Sequence, residues 1–272
     1  MGDYKDYRGE NFGIISKDQC KMLRWIKPNT RILELGAATG YMTKYLKNDL
    51  NCSITCVELN PEMAKNTIEF SEKTIVADLD KDIWCNEVEG LFDYIILIDV
   101  LEHLRKPENT LSKAIKFLKH EGELLLAIPN ISHSAIIFSL YDGDFTYNDW
   151  GLLDDTHIHF FTWKTFDKML LDLNMKLVEC YVKFKAPACT EFKKFMIKHP
   201  LIAPFVIIRK DAFSYQFYTS WKRKEVSVST KKMMRRPAFF LFIKLILEDI
   251  SYFFYSLMFP NKKFRKKVYH KE

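Results

Sequence analysis

Between Arg31 and Pro129 the chain alternates short apolar runs with segments of helical spacing, and no other feature limits its fold so strongly. RILELG reads as a buried strand ending at Gly36, and residues 40–49 read as a helix. SITCVEL is a second strand, followed by the helix PEMAKNTIEF with Pro61 in its first turn, where a missing N–H costs nothing. KTIVAD is a third strand. FDYIILIDV is a fourth, almost wholly apolar, as a strand covered on both faces requires. PENTLSKAIKFL reads as a helix and GELLLAIP as a fifth strand. This order implies an α/β fold with a doubly wound, mostly parallel sheet, whose ligands bind beyond the carboxyl ends of the strands.

After Pro129 the pattern loosens into a helix and a long loop over residues 130–160, rich in His, Asp and aromatics. TWKTFDKMLLDL is a helix, and MKLVECYVKF and FVIIRK read as a closing pair of strands, so the domain is expected to span residues 30–211. Residues 1–29 are then an N-terminal flap or helix, and residues 212–272 a basic, aromatic extension. The net charge of +6 is misleading as an average. The extension holds 14 Lys and Arg against 4 Asp and Glu, a balance of +10, which leaves −4 for the rest. Within it, residues 238–259 are mostly apolar but interrupted by Lys244, Glu248 and Asp249, which argues against a membrane span. Lys244, Glu248, Ser251, Tyr252 and Tyr255 recur at helical spacing, so an amphipathic helix is expected. Packing on the domain or on a second copy in a homo-oligomer ranks first as its use. A membrane surface met through residues 238–267 ranks second, and nucleic acid third. The six cysteines match no zinc spacing, and residues 1–11 are polar and charged rather than a signal peptide. The thiols are expected to be reduced and the protein cytoplasmic, with a peripheral place at the inner membrane face if the extension binds lipid.

The segment ILELGAATG runs from the first strand through a tight loop into a helix. Gly36 permits the turn, and the small residues Ala37, Ala38 and Gly40 let the backbone approach a ligand. Behind it stand acidic residues at successive strand ends. Glu58 is placed to accept hydrogen bonds from two ribose hydroxyls, Asp78 to accept from an adenine, and Asp99 closes the fourth strand. A nicotinamide fold fits less well, because its glycine fingerprint needs offsets this loop lacks.

ILELGAATG, CVELNPEM, VADLD and FDYIILIDVLEHL together resemble the class I S-adenosylmethionine-dependent methyltransferases, especially the group with ubiquinone-biosynthesis O-methyltransferases and small-molecule enzymes. The resemblance covers roughly residues 30 to 180 and implies a Rossmann-like sheet with a C-terminal helical extension. It implies Glu34, Gly36, Ala37 and Gly40 at the methionine end of the cofactor, and Glu58 and Leu59 at its ribose. Asp78 and Leu79 fall at the adenine, with Asp99 beside the reacting centre. Many members have a third glycine where this chain has Ala38.

Asp99-Val-Leu-Glu102-His103 sets two carboxylates three residues apart with an imidazole beside the second, and His157 and His159 follow at alternate positions of an extended stretch. One reading makes Asp99, Glu102, His103 and His159 the ligands of a divalent cation. It resembles metal-dependent 2′-O-methyltransferases of small-RNA ends, in which a later histidine precedes Phe-x-Trp, as His159 precedes Phe161 and Trp163. The other reading has no metal: Glu102 and His103 cap and orient the following helix, His157 and His159 line the acceptor pocket, and His159 or His103, with Asp99 beside them, is the general base. Tyr141, Phe145, Tyr147, Trp150 and Phe160, interleaved with Asp142, Asp144 and Asp149, suit a sugar or polyol as well as plain packing. Tyr4, Tyr7 and Arg8 are candidates for a flap over the cofactor. The expected activity is O-methylation of a small-molecule or glycan hydroxyl, with a place in glycan biosynthesis. The competing expectations are an RNA-end 2′-O-methyltransferase and a non-catalytic binding module.

Overall fold

The computed structural model describes residues 15–192 and 202–227 and the single position 247. Strands β1 (Arg31–Leu35), β2 (Ser53–Glu58), β3 (Lys73–Val76), β4 (Phe92–Ile98), β5 (Leu118–Pro129), β6 (Met175–Phe184) and β7 (Ser214–Arg223) form one sheet in the order β3-β2-β1-β4-β5-β7-β6. The first five are parallel, and β7 runs antiparallel to both its neighbours. The doubly wound, mostly parallel sheet expected from the sequence is therefore present.

Alternation along each strand divides the core into two layers. Leu33, Ile95, Leu97, Leu124 and Leu126 face one side, covered by Trp84, Leu111, Trp163 and Phe166. Ile32, Ile54, Tyr94, Ile96 and Leu125 face the other, covered by Met22, Leu23, Met42 and Leu46. The first covering set comes from helices α4 (Ile83–Glu87), α5 (Pro107–Ala114) and α7 (Trp163–Asp172), the second from α1 (Lys17–Leu23) and α2 (Tyr41–Asn48). Full burial of β4, at the centre of the sheet, accounts for its almost continuous apolar run. At roughly 25 cal/mol per Å² of apolar surface removed from water, each such side chain contributes about 1.5–3 kcal/mol. Two caps fix where helices start. Ser16 and Gln19 close a capping box on α1, and Thr162 and Thr165 close one on α7.

One expectation is overturned. FVIIRK is not a strand, because residues Ala203–Ile207 are a short helix. The closing partner of β6 is Ser214–Arg223, inside the segment assigned to the extension. The sheet thus continues past the expected boundary at residue 211. The amphipathic segment over 238–259 and the flap residues Tyr4, Tyr7 and Arg8 lie outside the described residues. Among the described residues no helix is long and apolar enough to cross a membrane.

The strand order reverses between β1 and β4, and the chain leaves the two strands in opposite directions there. A crevice at that edge is built into the topology.

Candidate active site

A cavity of about 1010 Å³ opens over the carboxyl ends of the strands. Its first wall is the β1–α2 loop. Gly36 has φ +80°, and a Cβ there would lie 2.5 Å from Val100 Cγ2, so only glycine fits. Ala38 takes φ +46°, the left-handed region where glycine is usual. Its N–H donates to Glu58 Oε2 at 2.8 Å, and the Asn60 N–H donates to Glu58 Oε1 at 2.9 Å. These two bonds fix a buried carboxylate at the end of β2. Leu59, Asp78 and Leu79 line the same part of the cavity. Asp78 Oδ1 accepts from the Asp80 N–H at 2.9 Å.

Two residues expected at the cofactor do not line this cavity. Glu34 faces the other side of the sheet, where it accepts from the Thr43 hydroxyl at 2.7 Å beneath α2. Burial pushes its carboxyl up to about 7, more than the Thr43 bond pulls it down, with the Glu58 charge adding to the rise. Gly40 is also outside the lining. It caps α2 at φ +73°, and a Cβ there would come within 3.0 Å of Thr67 Cγ2 and 3.2 Å of the Asn66 carbonyl oxygen. Close backbone packing is a sufficient reason for glycine at this position.

Asp99 stands at the middle of the cavity with φ +54°. Its outer surface faces the open space, but the protein crowded around it pushes the carboxyl up to about 6, while the Lys183 charge and a bond from Gln216 pull it back. Gln216 Nε2 donates to Asp99 Oδ1 at 2.5 Å, and the Tyr218 hydroxyl donates to Gln216 Oε1 at 2.8 Å. Gln216 lies in β7, opposite Pro129 on one side and Lys183 on the other.

Beyond Asp99 the cavity is walled by Glu102, His103 and the loop from Trp150 to Ile158. The Glu102 carboxylate is buried, and its Oε2 has no hydrogen-bond partner among the described residues. Burial, then the charge of Asp99, raises this carboxyl well above the usual range. His103 and His157 meet edge to face with ring centres 4.8 Å apart. His157 Nε2 is 4.0 Å from Glu102 Oε1, and His157 Nδ1 is buried without a partner. Burial lowers both imidazoles, His157 to about 4 with the neighbouring His103 adding to the drop. Both rings are therefore neutral near pH 7. His103 Nδ1 meets the Thr156 carbonyl oxygen at 3.2 Å, which leaves Nε2 as its open ring nitrogen. Thr156 is itself held by Asp154, to which its N–H and hydroxyl both donate, at 2.9 and 2.6 Å.

His159, expected as base and ligand, does not line the cavity but lies beside Phe161, rings nearly parallel and 6.3 Å apart. His157, expected on the acceptor side together with it, does line the cavity. The group whose ligand atoms lie within 4.8 Å of one another is Glu102, His103 and His157, without Asp99. Of the expected aromatic platform only Trp150 lines the cavity, while Phe145, Tyr147 and Phe160 pack on each other outside it. Sequence reasoning missed Lys183, Lys185, Tyr215 and Gln216 in the far wall. The alternate lysines at the end of β6 were a usable signal, whereas Gln216 had none, since its segment was not read as a strand.

A sheet of this order with a small-residue loop after β1 and a carboxylate ending β2 defines a class I S-adenosylmethionine-dependent methyltransferase. The chain belongs to the methyltransferase domain family, which matches residues 7–180. It is 30% identical over 107 residues to a malonyl-[acyl-carrier protein] O-methyltransferase of Anoxybacillus flavithermus, covering 39% of this chain and 41% of that one. It is 23% identical over 122 residues to a ubiquinone biosynthesis O-methyltransferase of Xanthomonas campestris, covering 43% and 51% respectively. The chain thus spans about half or less of the length of these curated relatives. Among solved structures, a SAM-dependent methyltransferase from Archaeoglobus fulgidus superposes with a TM-score of 0.51 at 17% identity, covering 75% of this chain and 92% of the other, a likeness of fold.

Proposed function

We propose that the enzyme transfers the methyl group to a hydroxyl oxygen of a small-molecule or sugar-type acceptor, with the His103–His157 pair taking the proton. The observation that carries this reading is the pair itself: two imidazole rings 4.8 Å apart, both lining the cavity. Gly36 and Ala37 border the methionine part of the cofactor, Glu58 and Leu59 the ribose, and Asp78 and Leu79 the adenine. Asp99 stands between cofactor and acceptor.

A sulfonium methyl is already activated, so the protein's work is in-line positioning and exclusion of water. A hydroxyl acceptor must also lose its proton, and a neutral imidazole has the lone pair to take it. Both curated relatives named above are O-methyltransferases, which supports oxygen as the methylated atom. The test is turnover with a panel of hydroxyl acceptors by the parent enzyme and His157→Ala. A fall of about 10²–10⁴-fold in kcat is expected for a lost general base. Turnover within a few-fold of the parent would sink the proposal.

A second reading rests on the Glu102–His103–His157 group, whose unpartnered Glu102 Oε2 and His157 Nδ1 suit a divalent cation. Bound there, a cation would act as a Lewis acid that lowers the pKa of an acceptor hydroxyl. Glu102 and the two histidines would hold it, and the Thr156 carbonyl would orient His103 through Nδ1. This is the arrangement in which an RNA end with vicinal hydroxyls becomes an acceptor. Turnover that survives exhaustive chelation removes it.

A further inference from the structure

We infer that the acceptor carries an anionic group, a carboxylate or a phosphate, which docks against Lys185 with Lys183 beside it. The inference deepens the methyltransferase reading of this same cavity and rests on it.

Lys183 and Lys185 flank Phe184 at the end of β6, so their side chains leave the backbone on one side, and both line the cavity. Phe184 turns the other way, against the core. The two ammonium groups have different surroundings. Lys183 Nζ lies 3.7 Å from Asp18 Oδ2, on α1. Lys185 Nζ sits 3.7 Å from the centre of the Tyr215 ring and makes no ion pair among the described residues. Glu191 is the nearby carboxylate, but it is engaged elsewhere. It accepts from the Leu152 N–H at 2.6 Å and from the Tyr215 hydroxyl at 3.2 Å.

An ammonium drawn out of water onto an aromatic face, with no carboxylate against it, leaves its charge to be met by a ligand. Burial lowers Lys185 to about 8, helped by the Lys183 charge, so it remains mostly protonated at neutral pH.

The cofactor's own carboxylate does not account for the pair. β6 lies three strands from β4 and four from β1. At about 5 Å per strand, the β6 backbone is roughly 15–20 Å from the ends of β4 and β1, which favours an acceptor's anion over the cofactor's carboxylate at Lys185, while Lys183 reaches back towards Asp99. The lysines stand instead on the wall that continues through Tyr215 and Gln216 towards Asp99. An acceptor anchored there by its anion would reach back to the histidines and the reacting methyl group.

The experiment is protection from amine acylation, read by mass spectrometry on the full chain at pH 8. Labelling of Lys185 is compared with that of exposed Lys168 in the free protein and after saturation with S-adenosylhomocysteine. The saturated protein is then given inorganic phosphate, acetate, or sodium chloride of equal ionic strength. We expect phosphate or acetate to slow Lys185 labelling at least threefold relative to chloride and to leave Lys168 unchanged. Protection by acetate alone assigns a carboxylate, and by phosphate alone a phosphate. Equal labelling in all three salts overturns the inference, as does full protection by S-adenosylhomocysteine alone, which would give the lysine to the cofactor. Calorimetry with S-adenosylhomocysteine on the same sample separates the two levels. Absence of binding there removes the methyltransferase reading, whereas binding without anion protection removes the anion site alone.

Discussion

The backbone N–H of Ala38 donates to the Glu58 carboxylate across 2.8 Å, from a residue held at φ +46°. The first wall of the cavity is thus joined to the end of β2 by one charge-assisted bond. The loop keeps that bond although its residue is not the glycine this backbone favours.

Replacing Glu58 by Ala removes that acceptor together with the one used by Asn60. S-adenosylhomocysteine affinity is expected to fall by about 1–3 kcal/mol, the range for hydrogen bonds to a charged group. Calorimetry checks it. Undiminished affinity would take the ribose away from Glu58.

Ala38→Gly relieves a left-handed backbone that costs an L-residue roughly 1–2 kcal/mol, offset by about 0.4–1 kcal/mol from the freer unfolded chain. The variant should be up to about 1 kcal/mol more stable in urea and should bind cofactor as before. A loss of stability would mean that the methyl group of Ala38 contributes packing that outweighs the strain.

His157→Ala and His159→Ala should separate cleanly. The first removes a ring from the cavity wall and should cost turnover, while S-adenosylhomocysteine affinity stays within a few-fold. The second removes a ring lying beside Phe161 and should show itself in thermal stability. Equal kinetic losses in the two variants would contradict the positions described for them.

Glu34 gives a pH signature of folding. Its carboxyl is raised to about 7 in the folded protein from an ordinary 4.5, so between these values the folded state holds a proton that the unfolded state has released. Stability therefore falls as pH rises through that window and levels off above about 7, a loss of roughly 3 kcal/mol from this one group. Glu34→Gln should flatten the dependence. Parallel curves for the two proteins would show that the carboxyl ionises freely.

Deletion from residue 212 onward removes β7, the strand that joins β6 to the sheet, and should abolish folding. Deletion after residue 227 keeps every described strand and should retain cofactor binding. Any comparison of vesicle binding with and without the basic extension belongs with the longer of these two proteins.

The parallel half of the fold was legible because β1, β2, β4 and the second half of β5 are buried on both faces and announce themselves as apolar runs. FVIIRK misled because its apolar run, Phe205–Ile208, is only four residues long and does not separate a strand from a helical turn. β7 escaped because SYQFYTSWKR carries polar side chains that find partners inside. Gln216 meets Asp99, Thr219 accepts from the Trp221 indole, and Ser220 donates to Glu123. His159 was preferred to His157 for its place before Phe-x-Trp, and a regular extended stretch would put both rings on one side. The backbone N–H groups of Ile158 and His159 both donate to the Glu102 carbonyl, so the alternation is broken there. Glu34 was placed by its closeness to the glycine loop, whereas the pleat turns it under α2.

In space β7 lies between β5 and β6, yet in the chain it follows both. A ribosome therefore releases the two outer members before the middle one exists. Until residue 223 has emerged, β5 and β6 each keep a hydrogen-bonding edge that β7 alone fills among the described strands, and β6 has no tie to the sheet. Shielding those edges during synthesis is a demand that the finished molecule no longer displays. The last strand to arrive also brings Gln216 to Asp99, so completion of the sheet and completion of the catalytic pocket are a single event.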